Sequence, residues 1–309
     1  MKIFVAGHRG MVGSAVVRAL QKRGQDQILT RTRQELDLTD PVLVEKWFSK
    51  EKPDQVIDAA ARVGGIQENS RRPVEFLIEN TRIQNNLMES AFRNGCQKFL
   101  FLGSSCIYPK HAPQPIREDS LLSGPLEPTN DAYALAKIAG VRLAQAYRDE
   151  YGKSAISAMP TNLYGPGDNF DPQSSHALPG MITKFHRAKM KGEKVVILWG
   201  TGSPRREWLH VDDLADGLLV LLERYDEREI LNLGVGDDLT IKELAEKVMG
   251  VVGFNGSIRW DTSMPDGTPR KLLDVSKVRG LGWKSAISVE QGIALTYEWF
   301  LKNAPEAKA

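Results

Sequence analysis

The feature that most constrains this chain is a glycine-spaced turn set between its first strand-like run and its first helix-like run. Lys2–Ala6 is short and apolar. Gly7-His8-Arg9-Gly10-Met11-Val12-Gly13 follows, and Met11–Arg23 places Val12, Val16 and Leu20 at helical spacing. A strand that passes at once into a helix needs backbone that bends tightly, and glycine supplies it. The same join leaves the first N–H groups of the helix free, with the positive end of its dipole behind them, which suits an anionic diphosphate. By themselves the glycines are compatible with a plain structural turn. Their place directly between strand and helix points to a dinucleotide.

The alternation then repeats. Strand-like runs fall at Gln27–Thr30, Gln55–Ala60, Lys98–Gly103 and Ser154–Pro160, separated by helix-like runs at Pro41–Glu51, Val74–Asn94 and Ala132–Tyr151. This order predicts an α/β protein built on a Rossmann-type, doubly wound parallel sheet. After Tyr164-Gly165-Pro166 the character changes. Gly165–Pro179 reads as loop. Beyond it come helices at Met181–Lys191, His210–Glu223 (capped by Asp212 or Asp213) and Ile241–Val252, with strands at Val195–Leu198 and Ile230–Leu233. Thr240 with Glu243 three residues later forms a capping-box pattern. We therefore expect a cofactor domain over 1–165, completed by about 207–235, and a smaller C-terminal α/β domain over 166–309 that mainly binds substrate.

Charge narrows the partners. Lys and Arg total 41 against 39 Asp and Glu, a formal charge of +2, which gives no ground for a nucleic-acid partner. No apolar stretch nears the ~18 residues of a membrane span, and the apolar start breaks at Gly7 before a signal segment can form. The two cysteines, Cys96 and Cys106, make neither a disulfide framework nor a zinc pattern, so no metal is expected and a reducing cytoplasm is the simplest location.

The end of the second strand bears on the cofactor. A site for NAD usually carries an acid there to accept from the ribose hydroxyl. This chain reads Ile28-Leu29-Thr30-Arg31-Thr32-Arg33 instead. Arg31, with Arg9 from the glycine loop, suits a 2′-phosphate through forked hydrogen bonds, which selects NADP(H) over NAD. Asp37 and Leu38 follow and border the adenine side. Without a phosphate to meet, the arginines are compatible with solvated surface charge.

Tyr133 and Lys137 stand four apart in a helix and so share a face. An ammonium beside a phenol stabilises the phenolate, lowering the tyrosine's pKa so that it exchanges a proton near neutral pH. Ser104 follows a strand, where its hydroxyl reaches the carboxyl edge of the sheet and can hold a carbonyl oxygen. Together with the glycine loop, this order along the chain resembles the extended short-chain dehydrogenase/reductases over its whole length.

Longer segments narrow the resemblance. Gly7–Ser14, Gly103–Lys110, Glu127–Asn130, Pro160–Pro166, Arg206–Asp213 and Pro265–Lys271 are similar to the GDP-L-fucose synthases. The resemblance implies a GDP-linked keto-deoxy sugar as substrate, epimerised at carbons 3 and 5 and then reduced at carbon 4 by NADPH, with Tyr133 giving the proton. It implies Cys106 and His176 as the epimerising pair. The chemistry agrees, since a thiol of modestly lowered pKa and an imidazole both exchange protons near pH 7. Taken alone, Cys106 is equally compatible with a small buried hydrophobe and His176 with a surface histidine. The same resemblance implies Lys184, Trp199, Arg206 and Asp266 as substrate ligands. It sets Pro160, Asn162 and Leu163 beside the cofactor, with Ser104, Lys137 and His176 touching it as well.

Two other readings stay open. One is a relative acting on a colitose-type or heptose-type GDP-sugar. The other is a non-catalytic NADP-binding sensor, against which Ser104, Tyr133 and Lys137 stand together as a proton donor that a sensor does not need. By analogy with the fold, helices 74–94 and 132–151 imply a homodimer.

Overall fold

The computed structural model describes residues 1–171, 174–264 and 266–308. Its first half alternates as the sequence predicts. The elements are β1 (Ile3–Ala6), α1 (Met11–Lys22), β2 (Ile28–Leu29), α2 (Pro41–Glu51), β3 (Gln55–Asp58), α3 (Ile66–Arg71), α4 (Pro73–Arg93), β4 (Lys98–Leu102), α5 (Asp131–Tyr151) and β5 (Ser154–Pro160). The short helix α3 has no counterpart in the sequence reading. The second half adds β6 (Asn162–Tyr164), α6 (Ala177–Lys191), β7 (Val195–Trp199), β8 (Arg205–Arg206), β9 (Trp208–His210), α7 (Val211–Arg224) and β10 (Leu231–Leu233). It ends with β11 (Leu239–Thr240), α8 (Ile241–Val252), β12 (Ser257–Asp261), β13 (Arg270–Lys271), α9 (Ser276–Gly280) and α10 (Val289–Asn303).

Among the described residues, six strands form the central sheet in the order β10-β5-β4-β3-β1-β2, every pair parallel. A parallel sheet is covered on both faces, so its strands read as continuous apolar runs. In β4, Phe99, Leu100, Phe101 and Leu102 are all buried. Helices α2, α4 and α5 pack as one layer, and α1 packs on α7 in the other. The strand order reverses between β1 and β3, and a crevice opens at their carboxyl ends. There Ala6 stands in register with Asp58.

Helix ends follow local chemistry. The Asp40 side chain accepts from Val42 N at 2.9 Å and Leu43 N at 3.1 Å, with Pro41 in the first helical position. Thr240 and Glu243 close the capping box on α8. Helix α7 differs from expectation. Its cap is His210, whose Nδ1 accepts from Asp212 N at 3.3 Å. Asp212 and Asp213 lie inside the first turn and are used elsewhere. Asp212 pairs with Arg18, and Asp213 accepts from Ala286 N and Ile287 N.

A second apolar cluster is separate from that of the central sheet. It joins Tyr164, Phe170, Phe185, Leu244, Val248 and Phe300. Around it lie the short sheets β6-β9, β7-β12 and β11-β8-β13. Helix α6 begins at Ala177, inside the stretch that reads as loop. Among the described residues no helix is long and apolar enough to cross a membrane, and no His/Cys/Asp/Glu group is placed to hold a metal.

Candidate active site

The glycine loop is built as tightly as its sequence requires. Gly7 has φ 77°, and a Cβ there would lie 2.7 Å from Ala59 O. A Cβ on Gly13 would lie 2.2 Å from Gly7 O, so any side chain would force loop and helix apart. Gly10 caps α1 without a side-chain bond, leaving the N–H groups of the first turn free for an anion. Met11 and Val12 anchor that turn on the main core. Gly7, His8, Arg9 and Gly10 face Arg31, Thr32, Arg33 and Gln34 across a cleft of about 330 Å³.

The cations here are not equivalent. Arg31 lies 5.5 Å over the Trp47 ring, donates to Thr30 O at 2.7 Å and pairs with Glu51 at 3.3 Å. Arg9 and Arg33 form no ion pair among the described residues. The nearby acid Glu35 is turned back onto Thr32, accepting from its N at 2.7 Å and its Oγ1 at 2.8 Å. Asp37 is likewise occupied by Thr39, and Leu38 O accepts from Asn86 at 2.9 Å. An uncapped helix start, a cradle with no room for a Cβ, and arginines without partners fit NADP(H). Arg33, in the same second-strand segment as Arg31, also lines this cleft.

At the far end of the crevice stand Ser104, Tyr133 and Lys137. Ser104 follows β4, and its Oγ accepts from Cys106 N at 3.2 Å. Lys137 is buried. Its Nζ donates to Leu102 O at 2.7 Å and lies 4.9 Å over the Phe101 ring and 5.9 Å from the Tyr133 ring centroid. Burial lowers its pKa to about 8 against the pull of Asp58. Burial pushes the Tyr133 phenol up, charge on Cys106 adds to that, and the Ser104 hydroxyl opposes both. The expected lowering of the phenol by Lys137 is therefore reversed in the free protein. Desolvation dominates, the Lys137 ammonium bonded to Leu102 O has no appreciable effect on the phenol, and Tyr133 keeps its proton.

Cys106 sits in a short 3-10 turn just after Ser104. Asn130 Nδ2 donates to its sulfur at 3.4 Å and Lys271 Nζ at 3.5 Å. Burial pushes the thiol up, but the Lys271 ammonium, with hydrogen bonds from Ser104, Lys271 and Asn130, outweighs it and lowers its pKa. Strand alternation explains how Lys271 arrives there. In β8 and β13, Arg205 is in register with Arg270, and Arg206 with Lys271. Arg205 and Arg270 both reach the buried Asp238, at 2.6 and 2.5 Å, so Arg206 and Lys271 leave the opposite face. Cys106, Lys110, Glu127, Asn130 and Lys271 line a narrow cavity of about 50 Å³. Lys271 and Asn130 lie within motifs that the sequence reading quoted, yet it assigned them no role.

His176 is the N-cap residue of α6 and is exposed to solvent. The protein around it lowers its pKa by partial desolvation. Among the described residues no hydrogen bond or charge coupling joins it to Cys106, Tyr133 or Lys137. Arg206 is half-buried. Burial lowers its pKa, countered by Asp266, Cys106 and Glu127, which ties it to the same pocket. Lys184 Nζ lies 5.3 Å over the ring of Trp199, a residue 52% exposed and available for stacking. Asp266 holds the Thr201 N–H and hydroxyl at 2.9 and 2.7 Å. Its neighbour Pro265, quoted among the matching segments, lies outside the described residues. Pro160 ends β5, Asn162 donates to Glu207 O at 2.8 Å, and Leu163 packs on the main core.

The chain is similar to known proteins. Residues 3–234 match the model of the NAD dependent epimerase/dehydratase family. The chain is 57% identical to GDP-L-fucose synthase 1 of Arabidopsis thaliana over 98% of its own length and 94% of that protein's. A GDP-6-OMe-4-keto-L-xylo-heptose reductase from C. jejuni superposes with TM-score 0.93 at 37% identity, covering 97% of each chain. A GDP-L-fucose synthetase from Naegleria fowleri bound to NADP superposes with TM-score 0.89 at 31% identity, covering 97% of this chain and 94% of the other. With its parallel sheet, glycine-cradled helix start and Ser104, Tyr133 and Lys137 at one sheet edge, this chain belongs to the NAD dependent epimerase/dehydratase family, among the GDP-L-fucose synthases.

Proposed function

We propose that this chain converts GDP-4-keto-6-deoxy-D-mannose to GDP-L-fucose, epimerising carbons 3 and 5 and then reducing the ketone at carbon 4. The observation that carries this reading is the Cys106 sulfur, held by Lys271 and Asn130 just beyond Ser104. A bare carbonyl reductase has no use for an activated thiol beside its carbonyl site. The 57% identity to the Arabidopsis enzyme, against 37% to the heptose reductase, favours fucose over a heptose-type or colitose-type product.

NADP(H), when bound, supplies the hydride that reaches carbon 4. The free N–H groups at the start of α1 hold its diphosphate, and Arg9, Arg31 and Arg33 meet its 2′-phosphate. Asp37 and Leu38 border the adenine. Pro160, Asn162, Leu163 and His176 line the other end. The Ser104 hydroxyl donates to the carbon-4 carbonyl oxygen, which acidifies the protons on carbons 3 and 5. Cys106 and His176, on opposite sides of the sugar, remove each proton and return one to the other face. As hydride arrives at carbon 4, Tyr133 passes its phenolic proton to the oxygen, and Lys137 stabilises the phenolate left behind. Arg206 and Lys184 hold the diphosphate of the substrate, Trp199 stacks on its base, and Asp266 orders the loop at Thr201.

On this reading residues 1–165 with about 207–235 form the cofactor domain, and the rest of 166–309 mainly binds substrate. We also propose a cytoplasmic homodimer joined through α4 and α5, whose outer faces expose Val74, Ile78 and Leu135.

The test is solvent exchange. The protein is incubated with GDP-4-keto-6-deoxy-D-mannose in deuterated water without NADPH. Label at both carbons 3 and 5 is expected. Label at one carbon assigns the chain to a relative with a single epimerisation. No label, with reduction intact, removes Cys106 and His176 from the mechanism.

A further inference from the structure

At the carboxyl end of β3 the fold encloses a carboxylate that the reaction above does not use. Asp58 is 1% exposed. Its Oδ1 accepts from Ala60 N at 3.1 Å, and among the described residues its Oδ2 has no hydrogen-bond partner. A bare carboxylate oxygen in an apolar interior is costly unless a charge compensates it. Sheet register shows where that charge comes from. Asp58 lies beside Ala6 on one side and Phe101 on the other, so the three side chains leave the same face. Lys137 stands directly above Phe101 and is itself 4% exposed. Its hydrogen bond to Leu102 O uses one of three donors.

Among the described residues, the other charge in this part of the site is that of Cys106, which acts on Tyr133 and not appreciably on Asp58 or Lys137. From α4 come two neutral amides, Asn80 bonded to Arg62 and Phe76, and Gln84 bonded to Ala136 O. From α5 comes Tyr133, from the turn after β4 Cys106, and from β1 only Ala6. Among the described residues, Asp58 is the one charge that acts appreciably on Lys137, and Lys137 the one that acts on Asp58.

We propose that Asp58 is the buried counter-charge of Lys137, a positioning residue that keeps the ammonium charged beside Tyr133 while the phenol gives up its proton. Burial drives the two groups toward neutrality from opposite sides, Asp58 up to about 6 and Lys137 down to about 8. Between those values both are charged. Below about 6 the carboxylate takes up a proton; above about 8 the lysine loses one. Without the carboxylate, Lys137 would become a neutral amine at lower pH and would no longer stabilise the Tyr133 phenolate.

The inference rests on Tyr133 and Lys137 being the reducing pair, and its test separates the two ideas. In Asp58→Asn, the alkaline limb of kcat/KM for ketone reduction moves down by roughly one to three pH units, because an opposite charge shifts a neighbouring pKa by that much. Carbon-3 and carbon-5 exchange, which runs through Cys106, continues and reports that the variant is folded. A folded variant whose alkaline limb stays in place overturns the inference. If the variant does not fold, the intact protein decides. The Lys137 ε-carbon, followed by NMR with labelled lysine, shows a step near pH 6 from Asp58 besides its own near pH 8. A single step overturns the inference. Absence of ketone reduction by the unaltered protein would instead refute the reducing-pair reading and leave the NMR coupling standing.

Discussion

The two halves of the candidate site are made in different ways. The proposed reducing half is an interior construction. Lys137 and Asp58 are enclosed between α5 and the sheet, and Tyr133 stands on the same helix, fixed by the rigid frame of the fold. The proposed epimerising half is assembled from ends and edges. Cys106 lies in a one-turn helix, Lys271 on a two-residue strand, and His176 at a helix cap open to solvent. Burial raises the Tyr133 phenol and preserves a proton to give away, whereas cations and amides around Cys106 lower the thiol and prepare it to accept one. The lesson is that one pocket can hold an acid and a base of opposite tuning when one is set into the core and the other faces charged neighbours.

The sharpest way to break this comparison is Tyr133→Phe. It removes the proton donor from the interior half alone. Ketone reduction should fall by about 10²–10⁴-fold, the usual weight of a general acid. Deuterium exchange at carbons 3 and 5 without NADPH should persist. If both activities collapse together, the halves are not separable.

Cys106→Ser is the converse and costs somewhat less overall, since His176 remains. Exchange should slow by roughly 10²-fold or more, as a hydroxyl is a far weaker base than a thiolate. NADPH binding, followed by fluorescence titration, should hardly change. An equal loss of exchange and cofactor affinity would mean that Cys106 supports the structure and not the chemistry.

Lys271→Met tests the electrostatic origin of the difference. The ammonium lowers the Cys106 thiol, so its removal raises that pKa and reduces the thiolate present at neutral pH. The rising limb of exchange should move to higher pH by about one to two units, a loss of roughly 10-fold or more at pH 7. Iodoacetamide provides an independent readout. Cys106 should be alkylated in the unaltered protein and more slowly in the variant. Cys96, buried and pushed up to about 12, should stay unmodified in both while folded. An unchanged exchange profile would show that Lys271 serves substrate binding alone.

The same contrast governs what could be read from the chain beforehand. Tyr133 and Lys137 are legible because a helix turns spacing into proximity, and the glycine loop is legible because its place between strand and helix is local. Lys271 reaches Cys106 from 165 positions away, on a strand too short to show any periodicity. Only the pairing of β13 with β8, and the burial of Asp238 behind them, brings it there. Asp58 falls inside a strand-like run as one polar residue among apolar ones, and its importance depends on a lysine that packs above the neighbouring strand. The short strands β6, β8, β9, β11 and β13 exist through tertiary pairing and have too few residues for a pattern of their own. His210 displaced the expected aspartates as the α7 cap because those carboxylates had partners on other elements.

The smallest expected effect concerns the arginines of the cofactor cleft, and it refines the interior half. Arg31 is already held by Glu51 and rests on Trp47, so part of its charge is offset and moving it to a phosphate breaks an existing pair. Among the described residues, Arg33 and Arg9 have no such ion pair. Arg33→Ala should therefore weaken NADPH binding by about 10-fold, the value of one charge-assisted hydrogen bond near the lower end of its range, with NADH affinity unchanged. Arg31→Ala should cost less, because the Glu51 pair is lost with it. Neither change should touch exchange at carbons 3 and 5, which needs no cofactor. If Arg31→Ala proves the more damaging, the arginine must leave Glu51 on binding, and the cleft then closes around the phosphate instead of receiving it ready-made.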